Sequence, residues 1–251
     1  KGLFSVAKGF PGNLVTDSLA LVSLFNSTGG TNWTSKTNWL QAGAFVTSWA
    51  GVTQTGGSIT ALNLPNNNLL GSIPEDLLDM NGLQTLNLAG NQITSLPEIN
   101  KIAAIQSLDV SGNNLDFSSL EKNISIATLN YGNQRELGSF LETQVDVGSN
   151  FVLSVPRSGI ADQYQWKRNN VPVATANAKS LTIEAINRTN MGDYICEITN
   201  PFVPGLMLKT AAHRVLATAT LSGKLLVNAN QPAVKGKVTL YRVGPGAFQV
   251  V

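Results

Sequence analysis

Apolar and polar positions in the first half of the chain fall into one returning phrase: an apolar residue, a leucine three places on, another two further, an asparagine after three more, and an apolar residue two beyond. The copies are Ile59, Leu62, Leu64, Asn67, Leu69; then Leu83, Leu86, Leu88, Asn91, Ile93; then Ile105, Leu108, Val110, Asn113, Leu115. A fourth copy begins Ile126, Leu129, Tyr131 and then leaves register, with Asn133 one place early. Successive copies start 24, 22 and 21 residues apart. In a short strand such as Leu62-Asn63-Leu64 the alternate leucines point to one side. One strand cannot bury them; a stack of such strands can. The closing asparagine suits a turn, because its side chain can hydrogen-bond nearby backbone. Upstream, Leu21, Leu24 and Phe25 share one face of an expected helix, with Thr16 or Asp17 as its N-cap and Gly29-Gly30 as its end. After Asn133 the period is gone. Gln134 to Ser139 reads as a junction. From Phe140 short alternating strands follow, expected at Leu141–Val147, Phe151–Val155, Gln163–Lys167, Ser180–Ala185, Gly192–Thr199 and Leu206–Val215.

A phrase of this form with a period of about 20 to 29 residues is the signature of a leucine-rich repeat solenoid. The first copy continues Asn67-x-Leu69-x-Gly71-x-Ile73-Pro74-x-x-Leu77, which resembles the plant-type or bacterial plant-like repeat. The second ends Leu96-Pro97 and the third is shorter, so the series departs from that pattern as it proceeds. Ahead of the first copy stand Gly30-Thr31-Asn32-Trp33-Thr34, Thr37-Asn38-Trp39-Leu40 and Trp49-Ala50-Gly51-Val52-Thr53. This arrangement resembles the amino-terminal cap of bacterial secreted leucine-rich repeat proteins, without the cysteine pair usual in plant caps. Three tryptophans so close admit two readings: a sugar-stacking site, or a seal on the open end of the solenoid, which terminal repeats require.

Two landmarks sharpen the second half. Tyr164-Gln165-Trp166-Lys167-Arg168 resembles the third strand of an immunoglobulin-like domain, and Gly192-Asp193-Tyr194-Ile195-Cys196 resembles its sixth, with Asn190 where an aspartate is usual. The resemblance puts Val155 at the position of the usual partner cysteine. The chain has one cysteine, so no internal disulfide forms. Cys196 then reads as a small buried apolar residue, or alternatively as a reactive thiol. From about Ala219, strands expected at Leu221–Val227 and Ala233–Tyr241 resemble the start of a prealbumin-like or carboxypeptidase-regulatory-like domain. The expected organisation is a multidomain α/β plus all-β chain. A capped leucine-rich repeat domain covers 1–138 (cap about 1–58, repeats about 59–134), an immunoglobulin-like β-sandwich 139–217, and the start of a further, truncated β domain 218–251.

Charged residues make up 13% of the chain and the net charge is +2, without the basic run of a nucleic-acid binder. The longest apolar stretches are strand-length, too short for a membrane helix. Catalytic chemistry finds little support. The sole histidine, His213, lies on the expected last strand of the sandwich, and a Ser-His-Asp arrangement would have to be built around it. There is no zinc spacing and no phosphate-cradling loop, and no cofactor is implied. Ser5-x-x-Lys8 has the spacing of a Ser-Lys dyad without the companion motifs. Asp109-x-Ser111-x-Asn113 has a faint calcium-loop look but coincides with the third phrase. Asp76 and Asp79 are carboxylates of a solvated face.

Binding is expected where strand residues between the leucines face outward: Ala61, Asn63, Pro65; Thr85, Asn87, Ala89; Ser107, Asp109, Ser111; and Thr128, Asn130, Gly132. Strands stack about 4.8 Å apart, so Asn63, Asn87, Asp109 and Asn130 form a ladder. It either presents donors and acceptors to a ligand or satisfies itself. The candidate ligand-binding residues are Asn63, Thr85, Asn87, Ser107, Asp109, Thr128 and Asn130. The face carries no aromatic and no arginine, the residues usual at energetic hot spots. The domain order resembles multidomain surface proteins of Bacteroidetes-type bacteria. That resemblance implies an extracellular or cell-surface, non-catalytic recognition or adhesion protein with a protein or glycan partner. The alternatives are an accessory region of a larger secreted enzyme and a structural stalk without a ligand.

Overall fold

The computed structural model describes residues 12–157, 159–221, 238–242 and 248–250. The chain forms two compact units. The first comprises Lys1–Gly138, Pro156–Tyr164 and Glu197–Thr210; the second comprises Ser139–Val155, Gln165–Cys196 and Ala211–Val251.

The first unit opens with helix α1, Gly12–Ser27. Leu14, Leu21, Leu24 and Phe25 are buried, at the spacing of one helical face. The helix starts ahead of the expected cap residues, so Thr16 and Asp17 lie within it and neither is its N-cap. Asp17 is buried instead, and its carboxylate accepts the Ile59 N–H at 2.9 Å. The helix ends where Thr28 N–H reaches the Leu24 carbonyl and Gly29 turns left-handed at φ 71°. A Cβ on Gly30 would lie 2.3 Å from the Phe25 ring. The residue pair is therefore needed twice, for conformation and for space.

Burial pushes the Asp17 carboxyl above its ordinary value of 3.8, and the Ile59 N–H pulls it part of the way back. A raised folded-state value means that the native state holds the proton more tightly, so stability declines as pH rises from 3.8 through the folded value. Asp17→Asn keeps an acceptor for Ile59 and removes the charge. Denaturant melts are expected to show the variant gaining on the wild type as pH is raised from about 3 to 7. A gap that does not change with pH contradicts the assignment.

Phe25, Trp33, Trp39 and Trp49 pack together, with Trp39 4.8 Å from both Trp33 and Trp49 between ring centroids. Trp33 and Trp39 donate their indole N–H groups to the carbonyls of Thr28 and Ala50. All three tryptophans are buried. Their faces are occupied by one another, which removes the sugar-stacking reading.

The repeat strands follow: β1 Val52–Thr55, β2 Ser58–Asn63, β3 Leu70–Ser72, β4 Thr85–Asn87, β5 Gln92–Ser95, β6 Ser107–Asp109 and β7 Thr128–Asn130. The main sheet runs β1-β2-β4-β6-β7. β1 joins antiparallel and the others pair in parallel. Leu62, Leu86, Leu108 and Leu129 stand in one register row. Leu62, Leu86 and Leu108 are buried with Leu64, Leu88 and Val110 behind them. β3 and β5 form a second, short parallel sheet. The return paths are 3-10 turns at Glu75–Asp79, Ile99–Lys101 and Glu121–Asn123, the last preceded by helix α2, Phe117–Leu120.

The asparagine of the phrase is an internal strut. The Asn91 carbonyl oxygen accepts the N–H groups of Asn67 and Leu69 at 2.9 and 3.0 Å. Its amide donates to Leu64 and Leu88 carbonyls at 2.9 and 2.8 Å. Asn113 accepts from Ile93 and donates to Leu88 and Val110. The fourth copy does not lose register. Gln134 stands at the ladder position, accepting from Leu115 N–H and donating to the carbonyls of Val110 and Tyr131. Asn133 belongs to a different column. The residue before each strut turns left-handed, at Asn66, Gly90, Gly112 and Asn133, and only glycine and asparagine adopt that conformation readily.

The remaining strands are β8 Leu141–Asp146, β9 Phe151–Ser154, β10 Gln163–Arg168, β11 Val171–Pro172, β12 Ser180–Ile183, β13 Gly192–Thr199, β14 Met207–Lys209 and β15 His213–Thr218. One sheet runs β11-β10-β13-β15-β8 with β14 also beside β13; a second holds β9 and β12. The single strand expected at Leu206–Val215 is two, because β14 pairs with Glu197–Thr199 while β15 pairs with Gly192–Tyr194 and, in parallel, with β8. Within the second unit Leu153, Val155, Trp166, Ile183, Ile186, Tyr194, Cys196 and Val215 are buried. The Trp166 indole donates to the Ala178 carbonyl at 2.9 Å. The Tyr194 hydroxyl donates to the Asn190 carbonyl at 2.5 Å. Cys196 has no exposed surface, which fits a small apolar core residue and not an accessible thiol. Strands β16 Thr220–Leu221, β17 Val238–Arg242 and β18 Phe248–Val250 form a small sheet. Most of the strands expected at Leu221–Val227 and Ala233–Tyr241 lies outside the described residues.

Candidate recognition surface

The residues between the buried leucines form register rows across four strands. One row is Ala61, Thr85, Ser107 and Thr128; the next is Asn63, Asn87, Asp109 and Asn130. Asn63, Thr85, Thr128 and Asn130 are exposed, while Asn87, Ser107 and Asp109 are half-buried. All seven candidate residues thus lie on one sheet face.

Within the second row three of the four side chains serve their own turns. Asn87 accepts the Ala89 N–H at 3.0 Å, Asp109 accepts the Ser111 N–H at 3.0 Å and its hydroxyl at 2.7 Å, and Asn130 accepts the Gly132 N–H at 3.3 Å. These are Asx turns. The Asn130 amide also donates to the second Asp109 oxygen at 3.0 Å. The acceptor oxygens of Asn87, Asp109 and Asn130 are engaged, and what the face offers outward is the Asn63 carboxamide, the Asn87 amide hydrogens and the hydroxyls of Thr85 and Thr128. Asp109 carries the row's one charge. Ser111 and Asn113 belong to the same turn and strut, which accounts for the calcium-loop look. Among the described residues no group of three or more His, Cys, Asp or Glu is placed to hold a metal ion.

His213 sits within the second unit, its Nε2 2.8 Å from the Thr143 hydroxyl and its ring edge-on to Phe151 at 5.5 Å. Burial lowers its pKa below the ordinary value. Among the described residues its partners are a hydroxyl and an aromatic ring. Ser5 and Lys8 lie outside the described residues. No described helix is long and apolar enough to cross a membrane.

Residue recognition beyond the sequence reading concerns Glu121 on the return side. Its carboxylate accepts the Ile160 N–H at 2.9 Å and an amide hydrogen of Asn200. These partners are 39 and 79 residues away along the chain, so no local pattern announces them. Nearby on the same unit the Arg157 guanidinium pairs with buried Asp116 at 2.9 Å, and Tyr131 donates to the Pro204 carbonyl at 2.9 Å.

Comparison with known proteins identifies the repeats. Residues 58–80 match a Leucine Rich Repeat family model, and residues 81–122 match a model of Leucine Rich repeats in two copies. Leucine-rich repeats are therefore present. No curated protein matches the chain. Solved structures similar to it include the BIR2 ectodomain from Arabidopsis thaliana, 24% identical over 51% of this chain and 70% of that one, with a TM-score of 0.40. InlP from Listeria monocytogenes is 16% identical over 62% of this chain and 65% of that one, with a TM-score of 0.24. Sidekick-1 immunoglobulin domains 1-5 are 17% identical over 37% of this chain, with a TM-score of 0.29; the match spans 19% of that chain.

Proposed function

We propose that this chain is a non-catalytic extracellular or cell-surface recognition protein, whose repeats take a protein or glycan ligand on the concave sheet face. Leucine-rich repeats are typically protein-interaction modules. The observation that carries the reading is the unbroken register of Asn63, Asn87, Asp109 and Asn130 beside Thr85, Ser107 and Thr128, a polar, nearly uncharged surface spanning four strands. In this reading residues 1–58 cap the solenoid and 139–217 are an immunoglobulin-like sandwich. The buried Trp166 and Cys196 and the hydroxyl bond from Tyr194 to Asn190 support the latter. The whole is an adhesion-type surface protein of bacterial kind.

The test is a screen of the intact chain and of Asn87→Ala/Asp109→Ala on glycan and extracellular-matrix protein arrays. A hit weakened about tenfold or more in the variant supports the reading. Hits of equal strength in both proteins move recognition elsewhere. A second reading, a stalk without a ligand, is favoured by the Asx turns that use the ladder's own acceptors. Silence from both proteins supports it.

A further inference from the structure

We infer that two stretches from later in the chain, Pro156–Tyr164 and Glu197–Thr210, form the C-terminal cap of the repeat solenoid, a strap that holds its last copies closed. Both belong to the unit that holds the repeats. A terminal repeat without a successor leaves one side of its core open and must be covered. At the first end α1 and the tryptophans provide the cover. At the other end the phrase stops at the Gln134 strut, yet Ile126 of the last copy is 6% exposed, as buried as a core residue.

Glu197–Thr210 brings the apolar part. Ile198 pairs in register with Leu208, and Val203 lies in the turn between their strands. All three are at most 1% exposed. Just past the strut, the Leu137 N–H reaches the Lys209 carbonyl at 2.8 Å and Leu137 bridges in parallel to Thr210. Tyr131 of the fourth copy donates to the Pro204 carbonyl at 2.9 Å. Pro156–Tyr164 brings the polar fastening on the return side. The Arg157 guanidinium joins two copies: it donates to the Thr94 carbonyl on β5 and pairs at 2.9 Å with Asp116, the N-cap of α2. That carboxylate is 2% exposed, and a charge so buried needs its partner. The Ile160 N–H donates to Glu121 in the following turn, and buried Asn200 ties the two stretches together by donating to Glu121 and Asp162. The second, third and fourth copies are each gripped. Because β7 carries Thr128 and Asn130, the strap also sets whether the outward rows span three strands or four.

Hydrogen exchange on the intact chain, read strand by strand, is the test. Arg157→Met leaves the Asp116 charge unpaired, and Asn200→Leu unties the two stretches. Stability along a solenoid is a sum of nearest-neighbour terms, so a loosened cap frays the stack from its own end. Exchange is expected to speed about tenfold or more in Thr128–Asn130 and Ser107–Asp109, less in Thr85–Asn87 and not at all in Ser58–Asn63. Strands within Gln165–Cys196 keep their protection. Tyr131→Phe, which removes the hydroxyl bond to Pro204 alone, gives a smaller shift in the same order. Adding Asp116→Asn to Arg157→Met removes the stranded charge, keeps an acceptor for the Ser119 N–H and recovers part of the protection. Acceleration confined to the two stretches themselves, acceleration uniform from β2 to β7, or no recovery with Asp116→Asn overturns the inference.

Discussion

Asn91→Ala is expected to destabilise the repeat unit by about 4 kcal/mol, because it strips partners from several buried backbone groups at once. The N–H groups of Asn67 and Leu69 lose their acceptor and the carbonyls of Leu64 and Leu88 lose a donor, at a position with no exposed surface. Each orphaned buried group costs roughly 1–3 kcal/mol. The contrast with the outward column is sharp. Asn87→Ala removes one half-buried turn bond to Ala89 and is expected to cost under about 1 kcal/mol. Guanidinium melts of the two variants, followed by hydrogen exchange in residues 58–134, measure the difference. Equal costs would mean that the asparagine columns share the load, against the geometry.

Trp166→Ala carries the second large effect, about 4 kcal/mol on the other unit. The indole is buried and its N–H reaches the Ala178 carbonyl at 2.9 Å. With a single cysteine in the chain, no disulfide stabilises this core by the few kcal/mol such a bond typically contributes, so packing around Trp166 bears more of the stability. Trp166→Phe fills most of the space and is expected to cost about 2 kcal/mol. Hydrogen exchange read in residues 165–196 should accelerate strongly in the alanine variant, while residues 58–134 keep the protection of their own hydrogen-bond network. A loss of under about 1 kcal/mol for Trp166→Ala would refute its place in the core.

The repeat phrase made the sheet legible to the residue. Rows such as Ala61-Thr85-Ser107-Thr128 follow from aligning leucines, because period-2 side-chain alternation and stacking leave one register that turns the aligned leucines to the core side. Gln134 was hidden because its chemistry, not its identity, repeats: a carboxamide one methylene longer reaches the same carbonyls from the end of the stack. Counting eight places from Ile126, as Asn67 stands eight from Ile59, locates it. Asp17 looked like a helix cap because capping residues are recognised locally, whereas its bond partner Ile59 lies 42 residues on. The Asx turns of Asn87, Asp109 and Asn130 were written in the sequence as residue types, but whether their oxygens face a ligand or their own backbone depends on turn geometry that spacing does not encode. The Glu121 node shows the same limit more strongly, since Ile160, Asp162 and Asn200 reach it from segments on the far side of the repeats in sequence.

The most direct test of recognition by the repeat face is the affinity of Thr85→Arg for whichever array ligand the intact chain binds. Thr85 is exposed at the centre of the outward rows and none of the Asx turns uses it, so a long charged side chain there blocks the face while leaving the struts intact. The account predicts a loss of binding of about tenfold or more with unchanged thermal stability. Full affinity in the variant, with the arginine standing across the four-strand row, would contradict it.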